Sequence, residues 1–262
     1  MNQTDARQYL SNVILPPSTM AMPRIAALST RSIKQSKIQL PGDLIVPGEE
    51  NGAVIGEAVV GLTDRLSPQN AEDVMNCVSL AQQIAESRFT KETNLRGWTD
   101  EYFKALRNMG WNTVNYARQQ YSPSSQTFSM DTIALEIIQA AAAGATEFVN
   151  IARRSLIATG EDGQALSLLE NNSASESYAT FQTLPCTETA GGTPAMIMMS
   201  IDFKKTVKTK KVLFFKFKKE QVNIYRAASQ IQLNVKHYAN IRNQIEELLN
   251  KGADDYFSGI SL

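Results

Sequence analysis

The sequence predicts an α+β fold in which central helices pack on a mostly antiparallel sheet, of complex topology, from the C-terminal half. Apolar residues recur at helical spacing through the middle of the chain. From Tyr178 onward the apolar residues alternate with polar ones, as in half-buried strands. Helices followed by a run of strands are typical of α+β folds rather than doubly wound sheets. Because no repeat or long polar linker interrupts the chain, we expect a single domain over residues 1–262.

The individual elements follow from periodicity and capping residues. The residues before about 65 combine Pro and Gly with short apolar runs, which predicts short strands and irregular connections. Helices are predicted from Asn70 to about Ser87, from Thr99 to Gly110, from Ser129 or Asp131 through Leu156, through Leu169, and from Asn234 to Gly252. Strands are predicted at Tyr178–Leu184, Ala195–Phe203, Lys211–Lys218 and Gln221–Leu233. The segment from Trp111 to Tyr121 is compatible with either a strand or a helix.

Composition excludes several kinds of chemistry. The chain has two cysteines and one histidine, too few for a Cys/His zinc site, an iron–sulfur cluster or a disulfide-rich scaffold. Because phosphate-binding glycine motifs are missing too, we expect no metal and no nucleotide cofactor. The N-terminus lacks the basic and apolar regions of a secretory signal, which predicts a cytoplasmic location in the producing cell. Later release and membrane association stay open, and so does the oligomeric state.

Charge is unevenly distributed along the chain. Lys+Arg and Asp+Glu are equal at 26 each, yet one short segment has eight lysines and no acid, so it carries +8 and the rest carries −8. The eight lysines are Lys204, Lys205, Lys208, Lys210, Lys211, Lys216, Lys218 and Lys219. Three interpretations of such a segment are open: first a solvated edge hairpin, second a site for anionic lipid and third a nucleic-acid site. Because no nucleic-acid-binding motif accompanies it, we expect an anionic membrane surface as partner and no nucleic acid.

Cys186 is the main candidate for covalent chemistry. It follows Pro185 just after a predicted strand, so we expect an accessible turn flanked by small residues. Three alternatives remain open: a half-buried loop thiol, an acylated thiol, or a nucleophile with His237 as general base. His237 lies in the first turn of the last predicted helix, where a structural role is the competing interpretation. Glu188 and Asp202 are the acids that could orient it.

Cys77 is predicted to be a core residue. It falls at helical spacing with Val74, Val78, Ala81 and Ile84. Two cysteines in a chain with its own core are expected to be free rather than joined in a disulfide.

The order of features resembles the Erwinia virulence factor family. The resemblance rests on overall size, the absence of an export signal, the segments Gly97–Tyr102 and Gly110-Trp111, and the sequence Leu184-Pro185-Cys186-Thr187. It implies an α+β fold, palmitate or another long-chain fatty acyl group bound to Cys186 as a thioester, and association with acidic membranes. This chain has two tryptophans, so an aromatic role cannot be transferred to one of them.

Two functions follow from the resemblance and the residues together. In the first, the protein is a bacterial virulence-associated, toxin-like protein that carries a fatty acyl thioester and associates with anionic membranes. One acyl chain binds membranes only marginally, and a polybasic segment supplies the second signal. In the alternative, Cys186 and His237 form the catalytic pair of a fatty acyl thioesterase or acyltransferase, and the thioester is an intermediate received from a fatty acyl donor.

Overall fold

The computed structural model describes residues 3–15, 25–29, 50–112, 117–175 and 177–258. The helices of this part are α1 (Gln3–Ser11), α2 (Pro68–Arg88), α3 (Lys91–Asn108), α4 (Met130–Ala141), α5 (Thr146–Glu161), α6 (Gly163–Ser173), α7 (Val235–Ala239) and α8 (Arg242–Ser258). The strands are β1 (Ile25–Ser29), β2 (Glu50–Ile55), β3 (Ala58–Thr63), β4 (Gln119–Tyr121), β5 (Thr127–Phe128), β6 (Tyr178–Glu188), β7 (Pro194–Lys205), β8 (Phe217–Lys218) and β9 (Val222–Gln232). The predicted α+β class is confirmed.

Seven of these strands form one mixed sheet in the order β1-β2-β3-β6-β7-β9-β4. All neighbours are antiparallel except β3 and β6, which run parallel, with Gly61 opposite Pro185 and Leu62 opposite Cys186. The sheet therefore includes strands from both halves of the chain, not only from the C-terminal half. A parallel neighbour needs a long crossover, and here the crossover contains α2 to α6.

Two apolar clusters lie on opposite faces of the sheet. One contains residues of α1, α2, α3, α7 and α8, and the other contains residues of α4, α5 and α6. Successive strand residues point to opposite faces. In β6, Leu184 and Cys186 therefore belong to the first cluster, and Ala179 and Phe181 to the second. The strand is buried on both sides.

Local signals explain most helix boundaries. The Ser67 hydroxyl accepts a hydrogen bond from the Asn70 amide at 3.2 Å, and Pro68 occupies the first turn of α2. Asp162 caps α6 by accepting from the Gln164 and Ala165 amides at 2.9 and 3.0 Å. The helices predicted from Asn70 and through Leu169 are thus confirmed.

Two predicted helices were wrong in extent, and one helix was missed. The single long helix from residue 129 to 156 is two helices, because Ala143 (φ 48°) and Gly144 (φ 95°) adopt left-handed backbone conformations that end α4. Gly252 does not end the last helix, since α8 continues to Ser258. The N-terminal helix α1 was not predicted at all, because its nine residues are mostly polar.

The predicted strand Lys211–Lys218 was wrong as well. Only Phe217 and Lys218 form a strand, β8, which pairs with Thr127 and Phe128 of β5 outside the main sheet. The alternation of Phe and Lys that motivated the prediction reflects burial instead: Phe217 is fully buried while Lys216 and Lys218 are exposed. The strands predicted at Tyr178, Ala195 and Gln221 are confirmed with boundaries shifted by a few residues.

Buried ion pairs connect the helices to the sheet and to each other. Glu57, in the β2–β3 turn, is fully buried and lies 2.8 Å from Lys91 Nζ at the start of α3. Lys91 also lies 3.0 Å from Glu86 of α2. Burial raises the pKa of the Glu57 carboxyl, and Lys91 offsets part of this effect. Desolvation lowers the pKa of Lys91, but the two carboxylates outweigh it and hold that pKa above its ordinary value.

We expect Lys91→Met to lower the free energy of unfolding by about 3–5 kcal/mol at neutral pH, because it leaves the Glu57 carboxylate buried without a cation. The loss should shrink in acid. An unpaired buried carboxyl has a folded-state pKa above its unfolded value, so its contribution to stability is present at low pH and is lost as pH rises through the folded-state value. Urea unfolding followed by circular dichroism at several pH values measures both effects.

The double variant Glu57→Gln with Lys91→Met is the control for this prediction. It removes both charges, so it should recover much of the lost stability and show a weaker pH dependence than Lys91→Met alone. Equal losses for the single and double variants would show that packing by Lys91, not charge, stabilises this junction.

Candidate functional site

The lysine segment, residues 204–219, is held to the protein by apolar side chains. Val212, Leu213 and Phe217 are completely buried in the cluster with α4, α5 and α6. The ring of Phe217 packs edge-on against Phe203 with centroids 5.5 Å apart. The Asp131 amide donates to the Leu213 carbonyl oxygen at 3.1 Å. The segment is therefore a folded part of the surface.

Six of the eight lysines project into solvent from this anchored segment. They are Lys204, Lys208, Lys210, Lys211, Lys216 and Lys218. No acid lies within the segment, although Glu170 accepts from the Val212 amide at 3.3 Å and Glu220 follows directly after it. The exposed lysines give this part of the surface a positive charge.

Two lysines of the predicted membrane site are not fully exposed. Lys205 is buried, its ammonium donates to the Thr209 carbonyl oxygen, and desolvation lowers its pKa. Lys219 is half-buried and donates to the Pro123 carbonyl oxygen at 2.8 Å. Both ammonium groups hold the segment in place. The prediction that Lys205 and Lys219 face lipid was therefore wrong, because both ammonium groups are bonded to the protein itself.

An aromatic side chain is exposed beside these lysines. Phe214 has 42% of its surface exposed, although most large apolar side chains of the described chain are buried. Its ring lies over Gly160 of α5, where a Cβ atom would be 2.6 Å from Phe214 Cε2. The lysine segment thus presents both cationic groups and one apolar ring to solvent.

Cys186 does not lie in an exposed turn. It is an interior residue of β6 with no exposed surface, opposite Leu62 in β3 and Met196 in β7. The turn was predicted from Pro185, but β6 continues through this proline. Pro185 stays paired with Gly61 of β3, while the pairing with β7 skips Leu184 and Pro185. Burial, together with the charge of Glu188, raises the pKa of the Cys186 thiol above its ordinary range.

His237 is not hydrogen-bonded to Cys186 in the described part of the chain. Its Nε2 lies 3.1 Å from the Asn108 carbonyl oxygen, and its backbone amide donates to the Asn234 side chain at 3.0 Å. The Cys186 thiol has only a long contact, 3.9 Å, with the Thr187 carbonyl oxygen. His237 therefore links α7 to the end of α3, as in its structural interpretation.

The two acids suggested as partners of His237 are engaged elsewhere. Glu188 accepts from the Ser67 amide at 3.0 Å and from the Asn70 side chain at 2.6 Å, next to the start of α2. Asp202 accepts from Arg118 Nε at 3.0 Å and from the Thr180 hydroxyl at 2.8 Å. The arrangement does not assemble a catalytic triad around Cys186.

Cys77 lies where the sequence predicts it. It is fully buried in α2, and burial raises the pKa of its thiol to about 12. Both cysteines are free, as expected.

A cleft of about 550 Å³ was missed by the sequence analysis. It lies between the start of α3 and the ends of β6, β7 and β9, and Lys204 contributes to its wall. The other charged side chains that line it in the described part of the chain are Lys91, Arg96, Arg118 and Asp202. These residues come from separate segments without a common motif, so no local pattern marks them.

Comparisons with known proteins give only a distant structural relation. No protein-family model matches the chain. No curated protein matches its sequence. A solved structure titled delta-endotoxin superposes with a TM-score of 0.41 at 17% identity, covering 76% of this chain and 90% of its own. The activated Cyt2Ba monomer from Bacillus thuringiensis subsp. israelensis gives 0.40 at 13% identity, covering 68% and 96%.

A structure titled Evf virulence factor is also a neighbour, with a TM-score of 0.35 and 11% identity over 75% of this chain and 82% of its own. Structural neighbours thus include one protein called a virulence factor and two others, a delta-endotoxin and Cyt2Ba. These low values do not establish membership of the family that the sequence resembles. Among the helices described, none has the length and apolar character needed to cross a bilayer.

We expect Cys77 and Cys186 to be unreactive toward a thiol-specific chromogenic reagent in protein that has been treated with hydroxylamine in urea, refolded and assayed near neutral pH. The thiolate is the reactive form, and burial disfavours it at both positions. Both should react at once in unfolding concentrations of urea. Fast labelling of Cys186, identified by peptide mass in a Cys77→Ser background, would contradict this burial.

Proposed function

We propose that this protein binds anionic membrane surfaces through the lysine segment. The observation that carries the proposal is the projection of six exposed lysines from an anchored segment that contains no acid. Each lysine close to an acidic leaflet contributes about 1 kcal/mol of attraction. A role in virulence, which the sequence resemblance implies, is one use of such binding.

The solvated-edge interpretation explains these lysines less well. Lysines on an edge strand discourage pairing with other chains. Here β8 has only two residues and is already paired with β5, while the main sheet has β1 and β4 at its described edges. The exposed lysines therefore protect no long strand edge.

Phe214 supplies a contact of a second kind. Headgroup attraction acts at the surface of a bilayer, whereas an aromatic ring is stabilised at the boundary with the acyl chains. Phe214 is partly exposed and lies between the buried Leu213 and the half-buried Phe215. Its position supports shallow insertion next to the bound headgroups.

Acylation of Cys186 is the second part of the proposal. The thiol would attack the carbonyl carbon of a fatty acyl thioester, the donor's thiol would leave with the proton, and a new thioester would form on Sγ. The side chains facing Cys186 from neighbouring strands are apolar, namely Leu62 and Met196. Methionine side chains are flexible, so Met196 can repack around an acyl chain in this layer. Because the thiol is buried, transfer has to precede complete packing or follow its opening.

We expect the protein to co-sediment with vesicles containing phosphatidylserine and to be released by salt, since exposed charges are screened over about 8–10 Å at physiological ionic strength. Lys210→Gln with Lys216→Gln should weaken binding by about 2 kcal/mol, or roughly 30-fold.

The matched control is Lys104→Gln with Lys236→Gln, which removes the same charge from exposed positions outside the segment. It should retain most of the binding. Equal weakening by both pairs would show that total charge, not the lysine segment, determines binding. Equal binding to neutral and acidic vesicles would remove the electrostatic basis of the proposal.

For the acylation, we expect the intact mass of the recombinant protein to include a fatty acyl adduct that neutral hydroxylamine removes. The adduct should be lost in Cys186→Ser and kept in Cys77→Ser, because only Cys186 is assigned as the attachment site. An unmodified mass, or loss of the adduct in Cys77→Ser alone, would reject Cys186 as that site.

A further inference from the structure

The cleft beside Lys204 has an unusual charge distribution. Among the side chains that the structure describes, four cationic ones and one acidic one line it: Lys91, Arg96, Arg118, Lys204 and Asp202. Its volume of about 550 Å³ lies within the range of small-molecule sites, about 300–1,000 Å³. The tyrosines Tyr178 and Tyr225 complete its polar wall.

The cations differ in how strongly the protein itself neutralises them. Lys91 is held by Glu57 and Glu86, and Arg118 is bound to Asp202 while its guanidinium lies 3.8 Å from the centroid of the Tyr225 ring. By contrast, Arg96 is 83% exposed, and its ion pair with Asp100, itself 72% exposed, is long at 3.8 Å. Lys204 has no ion pair among the described residues. Within the described part of the cleft, the exposed cations therefore carry the charge that no short ion pair compensates.

The inner cations are rigidly placed. Arg118 is fixed on one side by its hydrogen bond to Asp202 and on the other by the Tyr225 ring. That hydrogen bond uses Nε, so the remaining N–H groups of the guanidinium fork can be donated to a ligand. Lys91 is fixed by its two carboxylates and by the Trp98 ring, whose centroid is 4.5 Å from Nζ.

We propose that this cleft binds a phosphate monoester. Guanidinium forks match the geometry of phosphate oxygens, and a dianion gains more than a carboxylate from several converging cations. The ester is the headgroup of an anionic lipid or a soluble phosphorylated molecule. Lys204 belongs both to the cleft and to the lysine segment, which places the cleft beside the proposed membrane surface. The proposal that the ester is a lipid headgroup rests on the proposed membrane function, whereas the proposal that the cleft binds a phosphate monoester does not.

Binding can be followed at a single side chain by nuclear magnetic resonance. The chain has two tryptophans, and only Trp98 contacts Lys91 of the cleft. Titration with glycerol 3-phosphate should shift the Trp98 indole resonance saturably and leave that of Trp111 in place. Arg96→Gln should weaken this binding about 10-fold. Lys216→Gln, which removes the same charge from the lysine segment outside the cleft, should not.

Vesicles of matched surface charge distinguish the source of the phosphate. If phosphatidate vesicles bind wild type better than phosphatidylserine vesicles, and Arg96→Gln abolishes the difference, the ligand is a lipid headgroup. If glycerol 3-phosphate binds and no vesicle does, the cleft binds soluble phosphate monoesters and the proposed membrane function is wrong. A Trp98 resonance that does not move, or equal binding by Arg96→Gln and wild type, would overturn the site itself.

Discussion

Strand β6 is the element on which the rest of the structure depends. It pairs in parallel with β3 and antiparallel with β7, and it is therefore the only described link between the N-terminal hairpin and the C-terminal strands of the sheet. Helices cover it on both faces. This central position decides what Cys186 can do, because an interior strand residue without exposed surface has a thiol that resists ionisation and is shielded from reagents.

The two candidate features of the chain consequently differ in accessibility. Cys186 is deep in the sheet, whereas the lysine segment is at the surface and rests on the opposite apolar cluster through Val212, Leu213 and Phe217. Surface charge needs no structural change to meet a membrane. Covalent chemistry at Cys186 needs one, since the layer of helices on its face closes over it. The electrostatic part of the proposed function therefore has more direct support than the proposed acyl group.

The sequence predicted the fold where local patterns dominate. Helical spacing located α2, and alternation located β6, β7 and β9. It failed where a distant contact overrides a local signal. Pro185 is typical of a strand end, yet pairing with β3 carries the strand through it. One helix was predicted across Gly144, but the left-handed backbone there ends α4. For the site, the lysines were found because they are contiguous, while Arg96 and Arg118 join Lys204 only through tertiary structure.

The parallel junction of β3 and β6 also determines when this protein can fold during synthesis. Gly61 and Pro185 are paired in space, but the whole helical crossover separates them along the chain. Contacts of such long range form late, since chain closure opposes them until other interactions hold the ends together. The inner edge of β3 therefore remains open while α2 to α6 leave the ribosome, and an open strand edge invites pairing with other chains. The helices that form in this interval, α5 in particular, can cover one face of β3 early because they need no residue of β6, while its edge stays open until β6 pairs with it. Gly61 allows this early contact. A Cβ atom at this position would lie 2.2 Å from Ser155 Oγ, so the lack of a side chain lets α5 approach the strand closely.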